Sequence, residues 1–210
     1  MKCARTVATL AAAIIVAGAW TSYAQKNSDL YSREATPFGL RQGMTVEELG
    51  AGAMPLGDGM YKLTSVPKPD PNFEFYVAQV SPRTGVCYVK GVVKQVRTTG
   101  SGAELRSRFT AIRNEMGVAY GRYRSVDMLL SGSMWVGPHD WMAALAERQR
   151  LFFAQWNTET RATLRPHLST VFVAANAKTS EAGYVLVEYY FDNEPGCQQE
   201  SDNGAEAALF

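Results

Sequence analysis

The stretch Phe73-Glu74-Phe75-Tyr76-Val77-Ala78-Gln79-Val80-Ser81-Pro82-Arg83-Thr84-Gly85-Val86-Cys87-Tyr88-Val89-Lys90-Gly91-Val92-Val93-Lys94-Gln95-Val96 decides the fold class. Two runs rich in valine and aromatic residues flank Ser81 to Gly85, and this punctuation predicts a β-hairpin. In the second run Val86, Tyr88, Val92 and Val96 fall on one face, and Cys87, Val89 and Val93 on the other. A strand apolar on both faces belongs in the middle of a sheet.

Working outward, Met60 to Val66 reads as a preceding strand, joined to the hairpin by Pro67-Lys68-Pro69-Asp70-Pro71, a stiff extended connection. Leu168 to Ala175 and Tyr184 to Phe191 read as two more strands, with turn residues from Ser180 to Gly183. Between these groups, Ser101-Gly102-Ala103-Glu104 has the pattern of a capping box. It opens a helix with Leu105, Phe109, Ile112, Met116 and Tyr120 on one face, stopped by Gly121. A second main helix is expected from Pro138, presenting Trp141, Leu145, Phe152 and Trp156. Thr45-Val46-Glu47-Glu48 predicts another capping box on a short helix, and Gly50 to Gly59 reads as a loop.

These elements predict an α+β domain over residues 37–197: a mostly antiparallel sheet of about five strands with two main helices packed on one face. Each half contributes a helix and a hairpin, although the residues of the halves do not align well. Residues 25–36 read as a flexible leader and 198–210 as a flexible tail.

Residues 1–24 read as a cleavable signal peptide. Lys2 and Arg5 precede an apolar run from Val7 to Ala19, and Ser22-Tyr23-Ala24 is a small-x-small cleavage site. The run is too short for a permanent membrane anchor, and Cys3 stands ahead of it, away from any lipidation point. A soluble periplasmic or secreted protein is expected. Cys87 and Cys197 are then the remaining cysteines, and an even pair in an exported chain predicts a disulfide. It would close a loop of about 110 residues, for which chain entropy gives roughly 4–5 kcal/mol.

The charges are segregated. Arg83 to Arg124 holds nine basic residues against Glu104 and Glu115, a net of +7, whereas Glu181 to Phe210 holds seven acids and no base, a net of −7. The total near neutrality gives no argument for nucleic acid. A disulfide between Cys87 and Cys197 would draw the two segments together and neutralise them internally; otherwise the basic surface is free for an acidic partner.

Catalytic patterns are scarce. No Gly-x-Ser-x-Gly elbow occurs, Gly50-Ala51-Gly52 lacks the third glycine of a dinucleotide loop, and two histidines without a local ligand pair give no zinc site. No metal or cofactor is expected. His139-Asp140 is the one tempting acid–base pair, but neighbouring helical residues point apart. Asp140 suits the start of a helix, and His167 reads as a surface or packing residue at a strand entry. Trp141, Phe152, Phe153 and Trp156 read as core at helical spacing rather than a carbohydrate or lipid platform.

Phe38-Gly39-Leu40 followed by Gly43-Met44-Thr45-Val46-Glu47-Glu48-Leu49 resembles the entry motif of small bacterial envelope modules. These are the outer-membrane assembly lipoprotein family SmpA/OmlA and β-lactamase-inhibitor-like repeats, where a similar Gly-Met-Thr opens a helix before a β-meander. The chain departs from the lipoproteins in lacking their anchor cysteine. A longer pattern is similar to a group of uncharacterised exported proteobacterial proteins: Tyr120-Gly121, Asp127, Leu130, Gly132-Ser133-Met134-Trp135, Asp140-Trp141-Met142, Glu147-Arg148 and Trp156. That similarity implies exported bacterial origin.

The reading reached is a soluble exported binding module acting by protein–protein contact on an envelope or secreted partner. Arg106, Arg113, Arg122 and Arg124 are its expected electrostatic surface. The alternatives are an envelope hydrolase using His139 and Asp140, and a structural envelope protein without a discrete ligand.

Overall fold

Strand-forming residues occupy more of the chain than five strands require. The computed structural model describes residues 36–198. Its strands are Ala53–Gly57 (β1), Met60–Leu63 (β2), Phe73–Ser81 (β3), Gly85–Val93 (β4), Val96–Arg97 (β5), Arg124–Leu129 (β6), Arg150–Asn157 (β7), Leu168–Thr179 (β8) and Ala182–Phe191 (β9). The helices are Val46–Leu49 (α1), Ala103–Tyr120 (α2) and Trp141–Ala146 (α3), preceded by a 3-10 turn at Pro37–Gly39. Residues 194–198 are also helical. The stretch read as a signal peptide, nearly all of the expected leader and the expected tail beyond Gln198 lie outside the described residues.

All nine strands form one antiparallel sheet in the order β1-β2-β3-β4-β9-β8-β7-β6. β5 continues the line of β4 along β9. Two four-stranded meanders, β1 to β4 and β6 to β9, therefore meet at the central pair β4–β9. α2 carries the chain from the middle of the sheet to its far edge. This corrects the expectation of about five strands and two main helices.

The five expected strands are present, the longest reading, Val86 to Val96, being split into β4 and β5. Strands β1, β6 and β7 are additional. β7 replaces the expected second half of the helix from Pro138: α3 ends at Ala146, and Arg148 takes a left-handed φ of +55° that turns the chain back. Phe152, Ala154 and Trp156 then alternate onto one face of a strand. The spacing of Trp141, Leu145, Phe152 and Trp156 fits a helix, but Phe152 and Trp156 also satisfy a period of two.

α2 and α3 cover one face of this sheet. α2 buries Leu105, Phe109, Ile112 and Tyr120, the stripe read from its periodicity. Leu105 and Met142 press on Gly183, where an added Cβ would lie 2.6 Å from Leu105 and 3.4 Å from Met142. Phe38 from the 3-10 turn sits over Gly91 and packs on Phe73, Tyr76 and Tyr189 with ring centroids 4.9, 4.6 and 5.7 Å away. A side chain at either glycine would displace the covering layer. The core between the layers includes Val80, Val89, Trp156, Val171, Val173, Val185 and Val187.

Two local expectations about capping separate. Thr45 and Glu48 form the reciprocal box, with the Thr45 amide donating to Glu48 Oε2 at 2.8 Å and the Glu48 amide to Thr45 Oγ1 at 3.4 Å. At Ser101 no box forms. Gly102 caps α2 in a left-handed conformation, and Glu104 accepts from the Thr98 hydroxyl instead.

Candidate functional site

The face of the sheet opposite the helices is built by strand alternation. Residues directly opposite in antiparallel register share a face, so the pairings define rows across the strands. One row runs Phe75, Val92, Leu186, Ala174, Phe153, Val126 from β3 to β6. The adjacent row runs Lys62, Val77, Lys90, Glu188, Phe172, Gln155, Arg124. The six strands of the apolar row span about 24 Å. Val77, Val92 and Leu186 are buried among their neighbours, while Phe75, Phe153 and Phe172 are half-buried. Phe153 and Phe172 pack with centroids 4.9 Å apart.

At the centre of this face stands a polar island. Tyr88 donates to Glu188 Oε1 at 2.6 Å, Tyr190 donates to Glu188 Oε2 at 3.1 Å, and Lys90 Nζ lies 3.9 Å from the same carboxylate. Burial, reinforced by the neighbouring Glu188 carboxylate, pushes both tyrosine hydroxyls well above their ordinary pKa. The Glu188 charge is thus answered within the sheet, and the cations Lys62 and Arg124 mark the two ends of the row. Lys62 lies 4.7 Å from the centroid of the Phe75 ring. Lys178 lies 5.8 Å from that of Tyr184.

One end of the face is closed by the disulfide. Cys87 and Cys197 are bonded across 110 residues, and the bridge packs with Tyr88, Met60 and Tyr190. A bulge makes this possible: Gln79 pairs with Tyr88 and Val80 with Val86, leaving Cys87 as the extra residue. Val86 consequently joins Val89 and Val93 in the main core, while Cys87 and Tyr88 turn to the opposite side. The unbroken alternation expected for this strand is corrected at that point. Beside the bridge, a cleft of about 930 Å³ lies between the β1–β2 and β3–β4 turns, lined by Glu47, Asp58, Tyr61, Arg83 and Thr84 among others.

The four arginines expected to form one surface are distributed over two. Arg106 and Arg113 lie on α2, with guanidinium carbons 5.7 Å from the rings of Trp141 and Tyr123 respectively. Arg150 approaches Trp141 as well, at 5.6 Å, and pairs with Asp127 at 2.6 Å. Arg124 alternates with Ser125 and Asp127 on β6, so it belongs to the opposite face of the sheet. Arg122 is exposed in the turn between α2 and β6. The Lys90–Glu188 pair joins the basic and acidic segments, in the middle of the sheet rather than on α2.

His139 is exposed, and the Asp140 carboxylate is occupied by the Gly137 amide at 3.0 Å, a local turn bond. The His167 carbonyl accepts from the Asp192 amide at the entry to β8. Among the described residues no group of three or more His, Cys, Asp or Glu side chains stands close enough to hold a metal ion. No helix among them is long and apolar enough to cross a membrane.

Sequence reasoning missed the uncovered face because it assigned Phe152, Phe153 and Trp156 to a helix. The signal that would have found it is the alternation in β8 and β9. Val171, Val173 and Ala175 alternate with Thr170, Phe172 and Ala174, and Val185, Val187 and Tyr189 alternate with Leu186, Glu188 and Tyr190.

Comparison with protein-family models, with curated proteins and with solved structures finds no match to this chain.

Proposed function

We propose that this chain is an exported binding module that acts by protein–protein contact, and that its contact surface is the uncovered face of the sheet. The observation carrying the proposal is the apolar row from Phe75 to Val126, which crosses six strands on the side of the sheet away from α2 and α3. Phe75, Phe153 and Val126, with Phe172 beside them, are partly exposed around the buried Val92 and Leu186, and clustered apolar side chains at a surface mark interaction sites. A cavity lined by Leu151, Phe153, Phe172 and Leu186 from this side and by Leu145, Arg150 and Phe152 from the other holds about 230 Å³, smaller than the pockets that enclose small ligands. A broad, shallow surface suits a protein. The partner it fits presents apolar side chains flanked by carboxylates, because the cations Lys62, Arg124 and Lys178 surround the row while Glu188 is internally paired. The signal-peptide pattern of residues 1–24 and the Cys87–Cys197 disulfide support placement outside the cytoplasm.

The test is capture from an envelope extract with the oxidised protein, with Phe153→Asp and with Arg106→Glu/Arg113→Glu, each checked for native thermal unfolding. The expected result is one salt-sensitive protein that the wild type and the double arginine variant retain and Phe153→Asp loses. Retention by Phe153→Asp together with loss in the arginine variant would move the contact to α2 and overturn this surface.

A further inference from the structure

The sheet has two edges, and they are built differently. β1 is defended: Pro55 removes an amide donor from the strand, and the register shifts between Pro55 and Gly57. The following turn passes through Gly57, Asp58 and Gly59, all with positive φ. Proline and bulges are standard means of keeping an edge from pairing with another chain. β6 has neither. Its six residues Arg124 to Leu129 pair with β7 in unbroken register and include no proline or glycine. Among the described residues no strand pairs with the outer side of β6. Large apolar side chains stand exposed around it: Met128 at 47 %, Leu130 at 39 %, Leu151 at 39 % and Tyr123 at 38 %. The charge on Asp127, one defence that β6 does carry, is answered by Arg150 at 2.6 Å.

We infer that β6 is a self-pairing edge, at which a second copy of this chain adds its own β6 antiparallel to form one sheet continuous through two protomers. A two-fold axis perpendicular to the sheet keeps covered face with covered face. Pairing on that axis sets Val126 opposite Val126 of the second copy. Ser125 then faces Asp127 on the covered side, a hydroxyl opposite a carboxylate, and Arg124 faces Met128 on the uncovered side. No like charges stand directly opposite, the arrangement cross-strand pairing favours. The apolar row ending at Val126 would also run on into the second copy's row, so the two uncovered faces join. Such an isologous contact is closed and uses one patch twice. A six-residue edge buries little area, so the association is expected to be weak and concentration-dependent.

This inference stands apart from the sheet-face contact and is tested separately. Sedimentation of the purified, oxidised protein from about 1 to 500 µM reports the mass. The expected result is a rise toward twice the monomer mass, abolished by Ser125→Lys/Val126→Lys. Because that variant alters a strand, Val126→Cys provides a second reading. Residues opposite each other in antiparallel pairs have Cα atoms about 4.5–5.5 Å apart, within disulfide range. Mild oxidation should convert Val126→Cys to a covalent dimer and leave Met54→Cys, on β1, monomeric. A monomer mass throughout, or equal dimer formation by the two cysteine variants, would overturn the inference. Pairing of β6 with a different protein only would leave the mass unchanged, and so would overturn it too.

Discussion

The two faces of the sheet draw on the same residue types and use them differently. On the covered face, Tyr189 sits beneath the helical layer with its hydroxyl 3.8 Å from the Met116 sulfur, and Trp156 is wholly buried. On the uncovered face, the next residue along, Tyr190, shares Glu188 with Tyr88. One side is a core closed by α2 and α3. The other is an apolar field with a satisfied polar centre, met at one end by the short helix at residues 194–198 through the Cys87–Cys197 bridge. A sheet that needed only to fold could carry polar residues at Phe75, Phe153 and Phe172, since antiparallel sheets tolerate one solvated face. That these positions are aromatic is what the proposed contact would require of them.

The comparison breaks most easily on the covered side. Trp156→Ala removes a fully buried side chain whose Nε1 donates to the Gly121 carbonyl at 3.2 Å. It should cost about 3–5 kcal/mol in denaturant unfolding. Opening the Cys87–Cys197 bridge with Cys87→Ser/Cys197→Ser should cost about 2–4 kcal/mol, measured the same way. It should also free residues 194–198 to exchange amide hydrogens faster. A small change there would mean the segment holds without its staple.

Tyr88→Phe sharpens the contrast at the polar island. It removes one hydrogen bond to a charged acceptor and should cost about 1.5–3 kcal/mol. The pH dependence has a definite sign. Tyr88 and Tyr190 have folded pKa values raised above the ordinary value of 10.0 by burial first and by Glu188 second. Their stabilisation is complete below pH 10 and is lost as pH rises above that value. Alkaline unfolding should therefore begin above pH 10, with a shallower slope in Tyr88→Phe. The smallest effect on folding is expected from Lys62→Glu/Arg124→Glu at the two ends of the charged row. Stability should move by less than about 0.5 kcal/mol, while partner association slows and its salt dependence weakens.

The central hairpin was legible because Val86 to Val96 is apolar on both faces, and α2 because Leu105 to Tyr120 repeats at helical spacing. The disulfide was legible from cysteine arithmetic and the expected compartment. β1 was hidden by glycines that turn out to flank and kink a strand, and β6 by the charges of an edge. β7 was hidden because Phe152 and Trp156 fit both periods; only the left-handed turn at Arg148 decides between them. The candidate site was missed with β7, since Phe153 and, through it, Val126 of the apolar row depend on that strand. Arginine spacing along the chain found Arg106 and Arg113 on one helix but gave no way of seeing that Arg124 alternates to the far side of the sheet.

The most direct measurement is hydroxyl-radical footprinting of the protein alone and in complex with the partner captured from envelope extract. The contact account predicts protection of Phe75, Phe153 and Phe172, with Tyr123 beside α2 reacting at its free rate. Protection of Tyr123 with Phe75, Phe153 and Phe172 unchanged would contradict it.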